Sequence, residues 1–182
     1  MNRSLQPSRL NMTSFAQDGL PLAGTTLLQN MERLAKETQG LDPDLTINWQ
    51  AKAELRPTAG APDQDDAVWL HLHAEATLPL ICQRCMGPVP TSVEVNQWYR
   101  FVATEDIAMA EDDESEEDLL VMAPQFDLLE LVEDELLMGL PLVPMHGECP
   151  QGAAPEVATD LVPNELAEKP NPFAILSELK KK

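Results

Sequence analysis

Alternation of apolar and polar residues along two neighbouring segments constrains the fold of this chain most strongly. From Leu45 to Leu55 the odd-numbered residues are apolar, and from Val68 to Leu78 the even-numbered residues are apolar. Because successive side chains of a strand point to opposite faces, each segment predicts a strand with one buried face. A third strand is predicted over 91–103, and no helical stretch separates the three. Consecutive strands of this kind predict an antiparallel meander.

The clearest helix of the sequence is predicted over 127–140. Asp127 can cap its start, with Glu130 three residues later in the manner of a capping box, and Pro141 ends it. Its apolar residues recur at helical spacing and form one stripe. They are Leu128, Leu129, Val132, Leu136 and Leu140. We expect this stripe to pack on the buried face of the meander.

A second helix is predicted over 25–40, before the first of these strands. Thr25 or Thr26 can cap its start, and Gly40 suits a left-handed exit. Its apolar residues again fall on one face. They are Leu27, Leu28, Met31, Leu34 and Ala35. The predicted fold class is therefore α+β, an antiparallel β-meander packed against helices within a single domain over 1–182.

Acidic residues dominate the charge of the chain. There are 31 acidic and 12 basic residues, which gives a formal net charge of −19. Such a field repels phosphate backbones and attracts cationic partners. Nine acidic residues lie between Glu105 and Asp118, and their mutual repulsion predicts an acidic, mobile loop over 105–124. Residues 150–182 are predicted to form an extended, Pro-rich, irregular tail with a short terminal helix.

Two short pairs of residues have the side chains that bind zinc. Cys82 and Cys85 are separated by two residues, and so are His146 and Cys149. Zinc prefers four thiolate or imidazole ligands in a tetrahedron, and a CxxC turn supplies two of them. The four residues predict one structural zinc ion that joins the helix of 127–140 to the sheet. Two alternatives remain open, namely reduced thiols buried in the core and a redox-active CxxC.

The sequence contains none of the common catalytic motifs. It has no Gly-rich phosphate loop, no nucleophile elbow and no HExxH, so we expect no catalytic residue, no small-molecule substrate and no enzymatic activity. His71 and His73 share the polar face of the second strand, which favours a solvated face over a pair of metal ligands. No segment is long and apolar enough to predict a membrane span or a secretion signal, so we expect a cytoplasmic location.

Three segments in order resemble the bacterial YceD family, also called large ribosomal RNA subunit accumulation proteins. They read "CQRCMGPV", "DLLELVEDELLMGLPLVPMH" and "KPNPFAILSELKKK". The resemblance implies a role in the synthesis, processing or stability of 23S ribosomal RNA, without a known catalytic activity. Family genes often neighbour the gene of a small zinc-ribbon protein of the large subunit. The positions that match the family motifs are Cys82, Cys85, Cys149 and the start of the terminal helix at Asn171, Pro172 and Phe173.

Charge and resemblance together predict a non-enzymatic factor in biogenesis of the large ribosomal subunit. Its expected partner is a basic ribosomal or rRNA-processing protein, or a pre-ribosomal particle, because an RNA-binding face requires a cationic patch. One alternative is direct binding of rRNA, with Trp69 or Trp98 stacking on bases. The cations near such a face are few. They are Lys52, Arg56, Arg84 and Arg100. The other alternative is a CxxC thiol oxidoreductase.

Overall fold

A five-stranded sheet forms the centre of the computed structural model, which describes residues 5–38, 44–57 and 66–150. The strands follow one another across the sheet in chain order. They are β1 (Leu22–Leu27), β2 (Thr46–Arg56), β3 (Ala67–Ile81), β4 (Pro88–Val102) and β5 (Asp118–Val121). Strands β1 to β4 pair antiparallel, whereas β5 pairs parallel with β4. The α+β class and the three-strand meander are confirmed, and the sheet gains one strand at each side.

The strand residues that the alternation placed inside are buried. In β3 the even-numbered side chains are covered, and their antiparallel partners in β2 and β4 lie on the same face. Leu70, for example, is opposite Ala53 on one side and Tyr99 on the other, and all three have at most 1% of their surface exposed. This face is the inner face of the sheet. The opposite, outer face carries the polar residues of the same strands.

Among the described residues, four α-helices accompany the sheet. They are α1 (Met12–Asp18), α2 (Glu32–Glu37), α3 (Glu105–Glu111) and α4 (Leu128–Met138). Helix α1 packs against β2 and β3, and α4 packs against β3 and β4. Phe15 of α1 and Leu136 of α4 are completely buried in the core that these contacts close. Within the described ranges, no helix combines the length and the apolar character that a bilayer span requires.

Helix α4 confirms the helix predicted over 127–140. The Asp127 carboxylate accepts hydrogen bonds from the backbone N–H groups of Leu129 and Glu130 at 2.9 and 3.1 Å, so it caps the helix as predicted. The helix ends at Met138, and its C-cap residue Gly139 lies very close to the sheet. A Cβ atom added to Gly139 would lie 2.9 Å from Cγ1 of Val93 in β4.

The single helix predicted over 25–40 is wrong. Residues up to Leu27 belong to β1, a 3-10 turn follows over Leu28–Asn30, and only Glu32–Glu37 form the helix α2. Pairing with β2 outweighs the local helical spacing, and the indole of Trp49 packs on β1 where Gly24 leaves room for it. A Cβ on Gly24 would lie 2.6 Å from this indole. The predicted exit at 40 lies outside the described residues.

The acidic segment, residues 105–118, has regular structure where a loop was predicted. It contains α3, a 3-10 turn over Asp112–Glu114 and the start of β5. The irregular loop is therefore wrong, and Arg100 supplies the reason. Its guanidinium binds Glu111 and Glu117, which offsets part of the repulsion within the segment. The mobility of the segment stays a prediction, and the predicted tail lies outside the described residues from 151 onward.

Candidate metal centre

The turn between β3 and β4 holds the first pair of candidate ligands, and we call this turn the knuckle (82–87). The backbone N–H of Cys82 donates to the carbonyl of Gly87, and the N–H of Met86 donates to the carbonyl of Cys82, both at 2.9 Å. Met86 has a φ of 58°, the left-handed backbone that lets the chain reverse in so few residues. These bonds fix the backbone that carries Cys82 and Cys85.

The loop after α4 brings the second pair to the knuckle. The chain leaves the helix at Gly139, and the carbonyl of Pro144 then accepts a hydrogen bond from the backbone N–H of Gln83 at 2.9 Å. This bond joins the loop to the knuckle just before His146 and Cys149. The pairs are therefore placed by two separate elements, a hairpin turn and the loop that follows a packed helix.

The four predicted ligands converge. One ligand atom of each of Cys82, Cys85, His146 and Cys149 lies within 4.8 Å of the ligand atoms of the other three. The Sγ atoms of Cys82 and Cys149 are 3.8 Å apart, and Cys85 Sγ is 3.4 Å from Nδ1 of His146. Tetrahedral zinc, with bonds of about 2.3 Å to sulfur and about 2.0 Å to nitrogen, separates two sulfurs by roughly 3.8 Å and sulfur from nitrogen by roughly 3.5 Å. The measured separations match this geometry.

Backbone donors around Cys82 favour its thiolate. Burial raises the pKa of this thiol, but N–H groups of Cys85, His146 and Arg84 oppose burial and lower the pKa to about 5. The N–H of His146 lies 3.5 Å from Cys82 Sγ. For Cys149, burial and the neighbouring sulfurs of Cys85 and Cys82 raise the pKa to about 11. Several thiolates in one place repel each other, and a zinc ion bound between the three sulfurs would offset that repulsion.

The two alternative roles of the cysteines account for less of this geometry. Cys82 belongs to the hydrophobic core and is completely buried, as the core-thiol hypothesis expects. That hypothesis gives no reason for an imidazole nitrogen 3.4 Å from the sulfur of Cys85. A redox role requires a thiolate that an external disulfide can reach, and Cys82, the thiol with the lowered pKa, has no exposed surface.

The two strand histidines lie elsewhere, on the outer face of the sheet. The His71 ring stacks on Trp98 with 4.5 Å between ring centroids, and its Nε2 is 2.8 Å from Oδ1 of Asn96. His73 Nδ1 is 3.9 Å from a carboxylate oxygen of Glu94. Among the described residues, neither histidine belongs to a group of ligands that could hold a metal ion. This agrees with the predicted polar strand face.

Carboxylates pair the strand cations of the outer face. Arg56 Nε is 2.7 Å and Lys52 Nζ is 3.6 Å from the carboxylate of Glu54. Arg100 makes two contacts, at 2.5 Å to Glu117 and 2.8 Å to Glu111. These three cations therefore do not form the free cationic patch that phosphate binding requires.

Sequence patterns missed one buried carboxylate, Glu133 of α4. One of its oxygens accepts the backbone N–H groups of Arg33 and Leu34 at 2.7 and 3.1 Å, and the other accepts the Arg33 guanidinium at 3.0 Å. Burial raises the pKa of Glu133, but the N–H groups of Leu34 and Arg33 and the guanidinium lower it below its ordinary value overall. The one local signal for this buried carboxylate is that an acidic residue lies beside an apolar stripe. Its hydrogen-bond partners lie about a hundred residues earlier in the chain, so the sequence pattern does not reveal them.

Fold and site together define a class, an acidic α+β protein whose sheet carries a four-donor cysteine–histidine centre at one hairpin turn. The sequence model described as "Large ribosomal RNA subunit accumulation protein YceD" matches residues 70–180, which include all four donors. A protein of the same description from Haemophilus influenzae is 32% identical over an alignment of 188 residues that covers all of both chains. No solved structure matches the chain. The chain belongs to the YceD family.

Proposed function

We propose that this chain is a non-catalytic factor in biogenesis of the large ribosomal subunit, supporting the synthesis, processing or stability of 23S rRNA. The description of its family and of its Haemophilus relative supports a role in accumulation of this RNA. The described residues support a binding role, because the thiol with the lowered pKa, Cys82, is buried and the four donors suit a structural ion. We expect the protein to act in the cytoplasm, where this RNA is made.

We infer that the centre holds one structural zinc ion through Cys82, Cys85, His146 and Cys149. The separations between donor atoms and the backbone N–H groups directed at Cys82 support this inference. A bound zinc would supply a fixed tetrahedral link between the knuckle and the loop after α4. These residues would then hold the end of α4 against the sheet, a purely structural task.

The observation that carries the proposed mode of action is the pairing of the outer-face cations. Lys52, Arg56 and Arg100 are each bound to carboxylates, in a chain whose net charge is −19. Approach to a bare phosphate backbone is therefore repulsive, whereas approach to a lysine- or arginine-rich protein is attractive. We propose that the chain binds a basic ribosomal or rRNA-processing protein, or a pre-ribosomal particle that contains one, and that it touches rRNA through that partner.

Binding to particles with and without their proteins tests this mode of action. Large-subunit precursor particles are immobilised, and half of the sample is deproteinised so that only its RNA remains. At physiological salt the chain should bind the intact particles and bind the deproteinised RNA no better than an unrelated RNA of equal length. Tight and specific binding to the protein-free rRNA would defeat the proposal and support the alternative of an RNA platform at Trp69 and Trp98.

A further inference from the structure

Two tryptophans on the outer face hold an arginine of the same chain. The rings of Trp69 and Trp98 meet edge to face, with centroids 6.4 Å apart. The guanidinium carbon of Arg56 lies 4.4 Å from the centroid of Trp69 and 4.0 Å from that of Trp98. A planar guanidinium over an aromatic ring is attracted by the charge distribution of the ring. This aromatic face, defined by the two tryptophans, therefore already binds one guanidinium.

A second guanidinium is bound beside the first. Arg100 is directly opposite Trp69 in the β3–β4 pairing, on the same outer face. Its guanidinium contacts Glu111 and Glu117, and its third nitrogen donates to the hydroxyl of Ser115 at 2.8 Å. The acidic segment thus folds towards the aromatic face and surrounds a guanidinium with oxygen acceptors. Arginine is commonly recognised by stacking on an aromatic ring or by pairing with carboxylates, and the two positions that show these interactions are neighbours on this face.

An open cleft lies beside Arg100 and reaches Trp69 of the aromatic face. Trp69 and Arg100 line it on the sheet side, and carboxylates of the acidic segment line it on the other, including the exposed Glu114 and Glu116. Within residues 5–38, 44–57 and 66–150, no ion pair joins Glu114 or Glu116 to a cation. The cleft therefore has more negative than positive charge and an aromatic wall.

We propose that the aromatic face and this cleft dock an arginine-rich segment of a basic protein. The proposal rests on the proposed function and identifies the surface and the chemistry that it uses. Arg56 and Arg100 mark how such a segment is held, one guanidinium stacked on indole rings and the next between carboxylates. Charge complementarity selects this occupant, because the same carboxylates repel a nucleic acid. Arginine is preferred to lysine, since a compact ammonium stacks less well and cannot bind two acceptors in one plane.

Two matched double variants separate this site from general charge attraction. In E114Q/E116Q both changed residues line the cleft, whereas in D112N/D113N neither does, and each variant removes two negative charges from the same segment. The probe is a fluorescein-labelled hexaarginine peptide, with hexalysine as the matched cation, bound to the full chain at about 100 mM salt. We expect E114Q/E116Q to lose roughly tenfold in affinity for hexaarginine and D112N/D113N to lose at most about twofold.

The NMR signals of the tryptophan indoles provide a second measurement, which a change in net charge alone does not affect. The indole N–H of Trp49 donates to Thr26 at 2.9 Å, and Trp49 is buried with the inner face of the sheet, so its NMR signal is an internal control. Hexaarginine should shift the indole signal of Trp69 and leave that of Trp49 in place. The proposal is overturned if both double variants weaken binding equally, if hexalysine binds as tightly as hexaarginine, or if oligouridylate shifts the Trp69 signal and hexaarginine does not.

Failure of this site is distinguishable from failure of the proposed function. If wild type and E114Q/E116Q bind intact precursor particles equally well, the docking surface is wrong and the basic partner remains. If neither binds any protein-containing particle while hexaarginine still shifts Trp69, the guanidinium site stands and the proposed function is wrong. If wild type binds the particles and E114Q/E116Q does not, both the docking surface and the proposed function are supported.

Discussion

The two ends of the long β3–β4 hairpin carry polar groups of opposite kinds. At the turn, three sulfurs and one imidazole converge within 4.8 Å, and backbone hydrogen bonds hold the knuckle that carries two of them. At the open end, carboxylates of the acidic segment surround Arg100, and most of their neighbours in the segment are exposed. The group at the turn depends on the geometry of its donors, of which only Cys82 is fully buried, whereas the group at the open end depends on charge and access to solvent.

This contrast indicates separate tasks for the two ends. Donors whose directions are fixed would contribute to folding if they bind an ion, because that ion would be lost when the chain unfolds. Exposed carboxylates contribute little to folding, since water and salt screen them, but they act at a distance on a charged partner. We therefore expect changes at the knuckle to alter stability and changes at the acidic segment to alter binding.

Loss of the proposed zinc ion should have the largest effect on stability. Protein purified without chelator should contain close to one zinc per chain by elemental analysis, and Cys149→Ser should contain far less. Structural zinc contributes roughly 10–16 kcal/mol in small peptides, so we expect the variant to lose at least about 5 kcal/mol of unfolding free energy. Chelator added to wild type is the control for the substitution itself. A metal-free, equally stable preparation would favour the core-thiol hypothesis.

Alkylation of the cysteines separates zinc from redox chemistry. If zinc binds the three thiolates, they should react slowly with a neutral alkylating reagent at pH 7 and rapidly after chelator is added. The measurement is the number of labelled thiols by mass spectrometry over time. Rapid labelling of Cys82 or Cys85 without chelator would instead support the oxidoreductase alternative.

A charge in the core of α4 should have the next largest effect on stability. Leu136 is completely buried, so Leu136→Asp removes a core side chain and places a carboxylate among apolar groups. We expect a loss of about 4 kcal/mol, measured by urea unfolding. Met138, at the end of the same helix, is 80% exposed, and Met138→Asp is the matched control with little expected change. Equal stabilities of the two variants would show that the packing of α4 is assigned wrongly.

Glu133 shows that a carboxylate can also be structural where it is buried and its donors are fixed. Because its pKa is lowered in the folded protein, its contribution is complete above the unfolded pKa and is lost as the pH falls through the folded pKa. We expect Glu133→Gln to cost about 2 kcal/mol at pH 7 and much less at about pH 3. Urea unfolding at both pH values checks this, with the exposed Glu130→Gln as control. A difference that is constant with pH would contradict the role of the charge.

Arg100 at the open end should have the smallest effect on stability. Its side chain is only 18% exposed, but both of its carboxylate partners reach water. We expect Arg100→Gln to cost about 1 kcal/mol at low salt and less at high salt, because salt screens partly exposed pairs. The matched control is Lys52→Gln, whose pair is longer and more exposed. A cost that rises with salt would contradict this account.

How much of the fold was predictable depends on where the determining contacts lie along the chain. Helix α4 was predicted because its cap and its apolar stripe are local, although it ends two residues before the predicted Leu140. The segment 25–40 was not, since the packing of Trp49 against Gly24 and the pairing of β1 with β2 involve residues 19 to 29 positions away. The acidic segment was predicted as a loop because a count of like charges does not include Arg100, which the sheet places beside it.

The candidate site followed the same rule. Spacing identified the four donors, because each pair lies within one short turn. A backbone hydrogen bond between Gln83 and Pro144 joins the two turns that carry these donors, and no sequence pattern indicates this bond. The guanidinium positions at Arg56 and Arg100 also required the structure, since they depend on strand register and on where the acidic segment folds.

We expect the acidic segment to serve binding and the knuckle to serve stability. The most direct test measures how a variant with four neutralised residues in the acidic segment binds precursor particles. The variant changes Asp112, Asp113, Glu114 and Glu116 to Asn or Gln and keeps the two partners of Arg100. A control neutralises four exposed carboxylates elsewhere, at Asp18, Glu32, Glu75 and Glu130. We predict that the first variant binds at least about tenfold more weakly than the control, with a melting temperature within about 2 °C of wild type. Equal binding by the two variants would contradict the account.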